Sequence, residues 1–128
     1  MWLARRSPTK QTDPGMLDNI VAGGISAGSS PLETLIKECW EEAGIPEPLA
    51  RKAVFSGTLH ALREVPQGVQ SETLHVFDLE LPSDFQPRNQ DGEVSEFRLL
   101  SFAQIDFEQM TYDAALAARS YITRAKAP

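Results

Sequence analysis

Cysteine is almost absent from this chain: Cys39 stands alone, so no internal disulfide can form. No stretch approaches the roughly 20 apolar residues that a membrane span needs. The start does not read as a secretory signal, because Arg5-Arg6 arrive within a few residues and no long apolar run follows. Positive charge is in deficit, at a net −6, which argues against a nucleic-acid binder that works by neutralising phosphates. Neither an internal repeat nor a low-complexity tail is present. A lone thiol is compatible with a reducing compartment, and the cytoplasm is the expected location. What remains, 128 residues with 41% hydrophobic content, suits one globular domain spanning 1–128 with one core.

One stretch organises the rest. Gly23 to Ile45 reads GGISAGSSPLETLIKECWEEAGI. Ser30-Pro31-Leu32-Glu33 is a capping box, with serine at the cap, proline at the first helical position and glutamate three residues after the cap. The helix is predicted to end near Ala43, since Gly44 is a good left-handed terminator and Pro46 forbids continuation. Leu32, Leu35, Ile36, Cys39 and Ala43 fall on one apolar stripe, so Cys39 is read as packing, and Trp40 at its edge likewise.

Glu38, Glu41 and Glu42 lie beside that stripe at i+3 and i+4 spacing, so their carboxylates share one arc. Like charges at that spacing repel, and the last helical turn already disfavours anions. A solvated acidic helix end would look the same. A divalent cation would relieve both costs, and hard oxygen ligands suit magnesium or manganese.

The spacing of the whole stretch resembles the Nudix box. Gly23 stands at its first glycine, Lys37-Glu38 at the Arg-Glu pair, Cys39 at the aliphatic position, Glu41-Glu42 at the acidic pair, and Gly44-Ile45 at its end. Two positions depart. Ser29 replaces the first glutamate, and Lys37 keeps the arginine's charge without its planar fork. The resemblance implies an α/β/α sandwich with a mixed sheet, lacking the strand that usually precedes Trp2. It also implies a Mg2+- or Mn2+-dependent attack of water on an organic diphosphate. Glu38, Glu41 and Glu42 would be metal ligands, with the Gly23 carbonyl, and Lys37 would assist. Family members often carry a further acid on a later loop. In Asp91-Gly92-Glu93-Val94-Ser95-Glu96 the first choice is Glu93 and the second Glu96.

A narrower likeness covers most of the chain. Trp2 to Ser7, Lys10, Pro14 to Asn19, Phe77 to Pro82 and Asp91 to Val94 resemble the Nudix domain associated with thiamine pyrophosphokinase. That group acts on thiamine diphosphate and its damaged analogues, which implies release of the monophosphate and phosphate here. It also commonly follows an additional N-terminal region, so the abrupt start reads as part of a longer protein. The alternatives are a general nucleotide or nucleotide-sugar pyrophosphatase and a silent binding module. The three intact glutamates argue against the silent module. The expected partner is a small organic diphosphate, with no nucleic acid and no membrane.

Along the chain, strands are predicted at Trp2–Arg6, Ile20–Ala22, Ala53–Val65, Ser71–Leu81 and Glu93–Leu100. Pro46–Lys52 is a connector with a helical turn, and Ser101 caps a short helix near 102–106. Thr111 caps a last helix from Tyr112 to about Arg124. His60 and His75 lack visible partners and read as half-buried strand histidines. Arg63, Glu64 and Glu72 suit a pocket lining and exposed strand charges equally. Arg5, Arg6 and Lys10 suit phosphate contact or a solvated edge.

Overall fold

A computed structural model describes residues 1–126. The order is β1 (Trp2–Arg6), β2 (Leu17–Asn19), α1 (Pro31–Ala43), α2 (Glu47–Ala50), β3 (Val54–Val65), β4 (Gly68–Asp78), β5 (Val94–Leu99) and α3 (Tyr112–Lys126). Two single 3-10 turns, Phe102–Gln104 and Phe107–Gln109, precede α3 where one short helix was expected. Among the described residues no helix is long and apolar enough to cross a membrane.

The α/β class is as expected, while the sheet differs in detail. The single mixed sheet appears as two antiparallel sheets, β2-β1-β5 and the hairpin β3-β4. Among the described residues parallel pairing is confined to an isolated bridge between Leu17 and Met110. The strand expected at Ile20–Ala22 lies earlier, at Leu17–Asn19. Ile20 and Val21 instead pack against the buried end of α1. The hairpin turn is tighter than expected, since β4 resumes at Gly68 directly after Pro66-Gln67.

Strand alternation sets the layers. Trp2, Ala4 and Arg6 share one face of β1 and Leu3 and Arg5 the other, because successive side chains point to opposite sides. Leu3 and Leu17 pack with Ile105, Met110, Ala114 and Ala118, so this face is covered by α3. Phe97, which pairs with Ala4, joins the cluster of Cys39, Ala43, Ile45 and Ala50, so the opposite face is covered by α1. The result is helix on sheet on helix, with each apolar face buried once.

Helix α1 follows its sequence signals. Ser30 Oγ accepts from the Glu33 amide at 3.1 Å. At the far end Gly44 adopts φ 67°, and its amide donates to the Trp40 carbonyl. The buried arc is narrower than the apolar stripe. Cys39 and Ala43 are buried, but Leu32 is 37% exposed and Trp40 52% exposed. Trp40 therefore does not pack as expected; it follows Cys39 by about 100° of helix rotation, which carries it off the buried arc.

The hairpin lies along α3. Tyr112 donates its hydroxyl to the Leu62 carbonyl at 2.9 Å, and Arg124 grips Asp78 with two nitrogens. His60 and His75 sit on its outer face and are exposed, not half-buried as expected. His60 Nε2 lies 3.0 Å from Ser71 Oγ.

Near the start of α3, burial pushes the Asp113 carboxyl up to about 6, helped by the hydrogen bond and charge of Glu72 and opposed by Arg63. An acid whose folded pKa is raised contributes stability below its unfolded value of 3.8 and loses it as pH rises through about 6. Asp113→Asn is thus expected to raise the melting temperature near neutral pH and to leave it unchanged below about pH 4. The gain should be on the order of 1 kcal/mol, since solvent screens the site and the helix N-terminus already favours the carboxylate. Thermal melts across that range check it; a gain that persists in acid would contradict the assignment.

Candidate active site

The face of β1 that meets α1 does not close completely. A cavity of about 270 Å3 opens there, lined by Ala4, Arg6, Lys10, Asp18, Asn19, Ile20, Ala22, Gly23, Gly24, Glu38, Glu42, Glu93 and Val94. Ala4, Arg6, Asp18 and Val94 reach it because they share one face of the β2-β1-β5 sheet. Glu38 and Glu42 reach it because they are one turn apart on α1.

Each carboxylate is held differently. Glu42 Oε2 accepts the Ala22 amide at 2.8 Å, tying the helix to the strand-to-loop junction. Burial pushes Glu42 up to about 8, against the pull of that amide, and the charges of Glu38, Asp18 and Asp91 add to the rise. Glu38 is also raised, first by burial and then by Glu41; Lys37 opposes this, and Asp91 and Glu93 add to it. Glu38 faces Gly23 so closely that a Cβ there would lie 2.9 Å from its carboxyl carbon. Glycine at 23 leaves open the space between that backbone and the carboxylate.

Glu93 arrives from the loop before β5, which is fastened to the end of α1. The Arg88 amide donates to the Ala43 carbonyl, the Gln90 amide to the Glu41 carbonyl, and Asn89 Nδ2 to the Glu42 carbonyl, each at 2.9 Å. These bonds satisfy carbonyls that every helix end leaves unpaired. Asp91 Oδ1 then accepts from Asn89 Nδ2 and from the Glu93 amide, which turns the chain back toward the cavity. Glu93 ends 3.3 Å from Lys10 Nζ. Asn89 carries no local signal in the sequence, because its role depends on a helix end 47 positions away.

The remaining sequence-derived residues divide. Glu41 follows Glu38 on α1 but is outside the cavity lining, and Lys37 and Ser29 are exposed. Glu96 is on the opposite face of the sheet, paired with Arg5 and Arg98. Arg63, Glu64, Glu72, His60 and His75 belong to the hairpin and do not line the cavity. Burial pushes the Cys39 thiol up to about 12, so it stays protonated and packs.

The donor set suits a hard divalent cation in its chemistry. Glu38 and Glu42 supply oxygen, Gly23 leaves room, and both carboxylates carry a charge cost that a cation removes. Among the described residues no three His, Cys, Asp or Glu side chains are already gathered as a closed ligand set. The arrangement is an open pair of carboxylates beside backbone.

The chain matches the NUDIX domain family over residues 1–123. It is 47% identical over 105 residues to Nudix hydrolase 24, chloroplastic, of Arabidopsis thaliana, covering 82% of this chain and 29% of that protein. Nudix hydrolase 20, chloroplastic, of the same plant is 46% identical over 105 residues, with 82% and 28% covered. An uncharacterized Saccharomyces cerevisiae protein is 35% identical over 115 residues, covering 80% of this chain and 34% of its own length. The chain thus spans about a third or less of the curated relatives it matches. With the box running onto α1, and Glu38 and Glu42 opening on one cavity, the chain belongs to the Nudix family.

Proposed function

We propose that this domain hydrolyses an organic diphosphate with Mg2+, and that the substrate is thiamine diphosphate or a damaged form of it. One observation carries the finer assignment: Asp18 and Asn19, from the run that resembles the thiamine-associated group, line the same cavity as Glu38 and Glu42. Asp18 adds negative charge to the cavity wall beyond the pair that would hold the metal, which favours a substrate with a cationic ring, as a thiazolium supplies and a nucleotide base does not. The other similar run, Phe77 to Pro82, serves packing: Leu79 and Leu81 cover the cluster under α1.

The reaction adds water across a phosphoanhydride. Water attacks phosphorus, the bridging P–O bond breaks, and thiamine monophosphate and inorganic phosphate leave. A bound divalent cation supplies neutralisation of phosphate oxygens and lowers the pKa of the attacking water. Glu38 and Glu42, with backbone at Gly23, would hold it. Glu42 is kept in place by the Ala22 amide. Glu93, half exposed at the mouth, would accept the proton that water loses.

The test compares kcat/KM across thiamine diphosphate, its oxidised analogues, ADP-ribose, a dinucleotide and several triphosphates at saturating magnesium. The best thiamine compound is expected to lead. A nucleotide that exceeds it by tenfold, about 1.4 kcal/mol of transition-state binding, would falsify the thiamine assignment and leave a general Nudix pyrophosphatase.

A further inference from the structure

The acidic cavity contains two basic groups, Arg6 and Lys10, and they are held differently. Arg6 Nε and Nη2 both donate to the Thr12 carbonyl, and its Nη1 donates to Asp18. It is a strut that holds the loop after β1. Lys10 Nζ, by contrast, has one ionic partner among the described residues, Glu93. Their side chains are 27% and 51% exposed.

That pair stands between two spaces. On one side is the cavity with Glu38 and Glu42. On the other is a more open depression lined by Ser7, Thr9, Gln11, Thr12 and Gly92. Arg6, Lys10 and Glu93 line both. Apart from Glu93, the outer depression has no carboxylate; hydroxyls and an amide make up its wall.

We infer that Lys10 binds the terminal phosphate of the diphosphate in this outer depression, giving up Glu93 to do so and releasing that carboxylate toward Glu38 and Glu42. This rests on the diphosphate reading above and adds a place and a partner for the distal phosphate. Four physical points support it. A half-solvated ion pair is weak, so exchanging it costs little. A charge-assisted bond to a phosphate dianion is the stronger alternative. The hydroxyls of Ser7, Thr9 and Thr12 in the outer depression can donate to phosphate oxygens. An ammonium with three rotatable donors suits a phosphate, whose oxygens impose no plane. The loop is braced for the task, since the Lys10 amide donates to the Ser7 carbonyl and Arg6 fixes Thr12.

The experiment is calorimetric titration of the full chain with methylenediphosphonate, a diphosphate that cannot be hydrolysed, in magnesium. Lys10→Met is expected to weaken binding by about tenfold or more, the range lost with a hydrogen bond to a charged group. Lys10→Arg should stay within about threefold, because the charge remains. Glu93→Gln should bind as well as wild type or better, having freed Lys10. The Lys10→Met loss should persist in the Glu93→Gln background. Unchanged affinity in Lys10→Met overturns the inference. So does a loss that vanishes in that background, which would make Lys10 only a prop for Glu93. A wild type that does not bind the diphosphonate overturns it too. Thermal melts show whether each variant is folded; should Lys10→Met not be, Lys10→Gln replaces it. Binding is read without turnover, so a protein that binds but hydrolyses no diphosphate refutes the reaction and not the role of Lys10.

Discussion

Glu38→Gln and Glu42→Gln are each expected to lower kcat by about a hundredfold or more, of the order lost with a major electrostatic group. Each glutamine keeps the length of the side chain and removes the charge. Glu42→Gln retains an oxygen for the Ala22 amide, so the junction between α1 and the loop should hold. The metal-free protein should melt at the same temperature or higher, because an amide avoids the burial cost that raises the carboxylate. The pattern to look for is lost turnover and lost metal affinity without lost stability. Glu41→Gln should have a smaller effect, since that side chain is outside the cavity lining. Near wild-type turnover in both cavity variants, with calorimetry showing unchanged magnesium affinity, would sink the site.

Gly44→Val is expected to destabilise the domain by about 3 kcal/mol, the upper end of ordinary single-site costs, through two separate mechanisms. The backbone at 44 has φ 67°, which costs a branched L-residue roughly 1–2 kcal/mol. A Cβ there would also lie 2.9 Å from the Arg88 carbonyl oxygen, a backbone atom that cannot rotate away. Moving Arg88 disturbs the bonds that fasten residues 88–90 to α1, and with them the approach of Glu93. Activity should therefore fall further than the loss of folded protein explains. Thermal melts and kcat on the folded fraction measure the two parts. A melting point within a few degrees of wild type would show that the loop yields without cost.

Some of this was legible in the sequence because the signals are local. Ser30, Pro31, Glu33 and Gly44 mark the ends of α1 within a few residues, and helix geometry then places Glu38 and Glu42 together. Thr111 capping α3 is equally local: its Oγ1 accepts from the Ala114 amide. What was not legible depends on pairing between distant segments. The cavity exists because Asp18 and Arg6 share a sheet face with Val94, a matter of register. Asn89 reads as an ordinary loop residue until its helix-end partner is known. The exposure of Trp40, His60 and His75 follows from which arc or face lacks a covering layer, and a periodic pattern does not say whether a cover exists.

The β3-β4 hairpin has a kinetic consequence. Among the described residues it pairs with no third strand, and Ala61 is its one buried residue. Two-stranded ribbons are marginal by themselves, so this one depends on its few ties to α3. It should open as a separate cooperative unit while the β2-β1-β5 layer stays closed. In deuterated water the amides of β3 and β4 are expected to exchange together and early, and those around Leu3 and Leu17 last. A protease should nick the chain first near Pro66-Gln67, at the tip that this opening exposes.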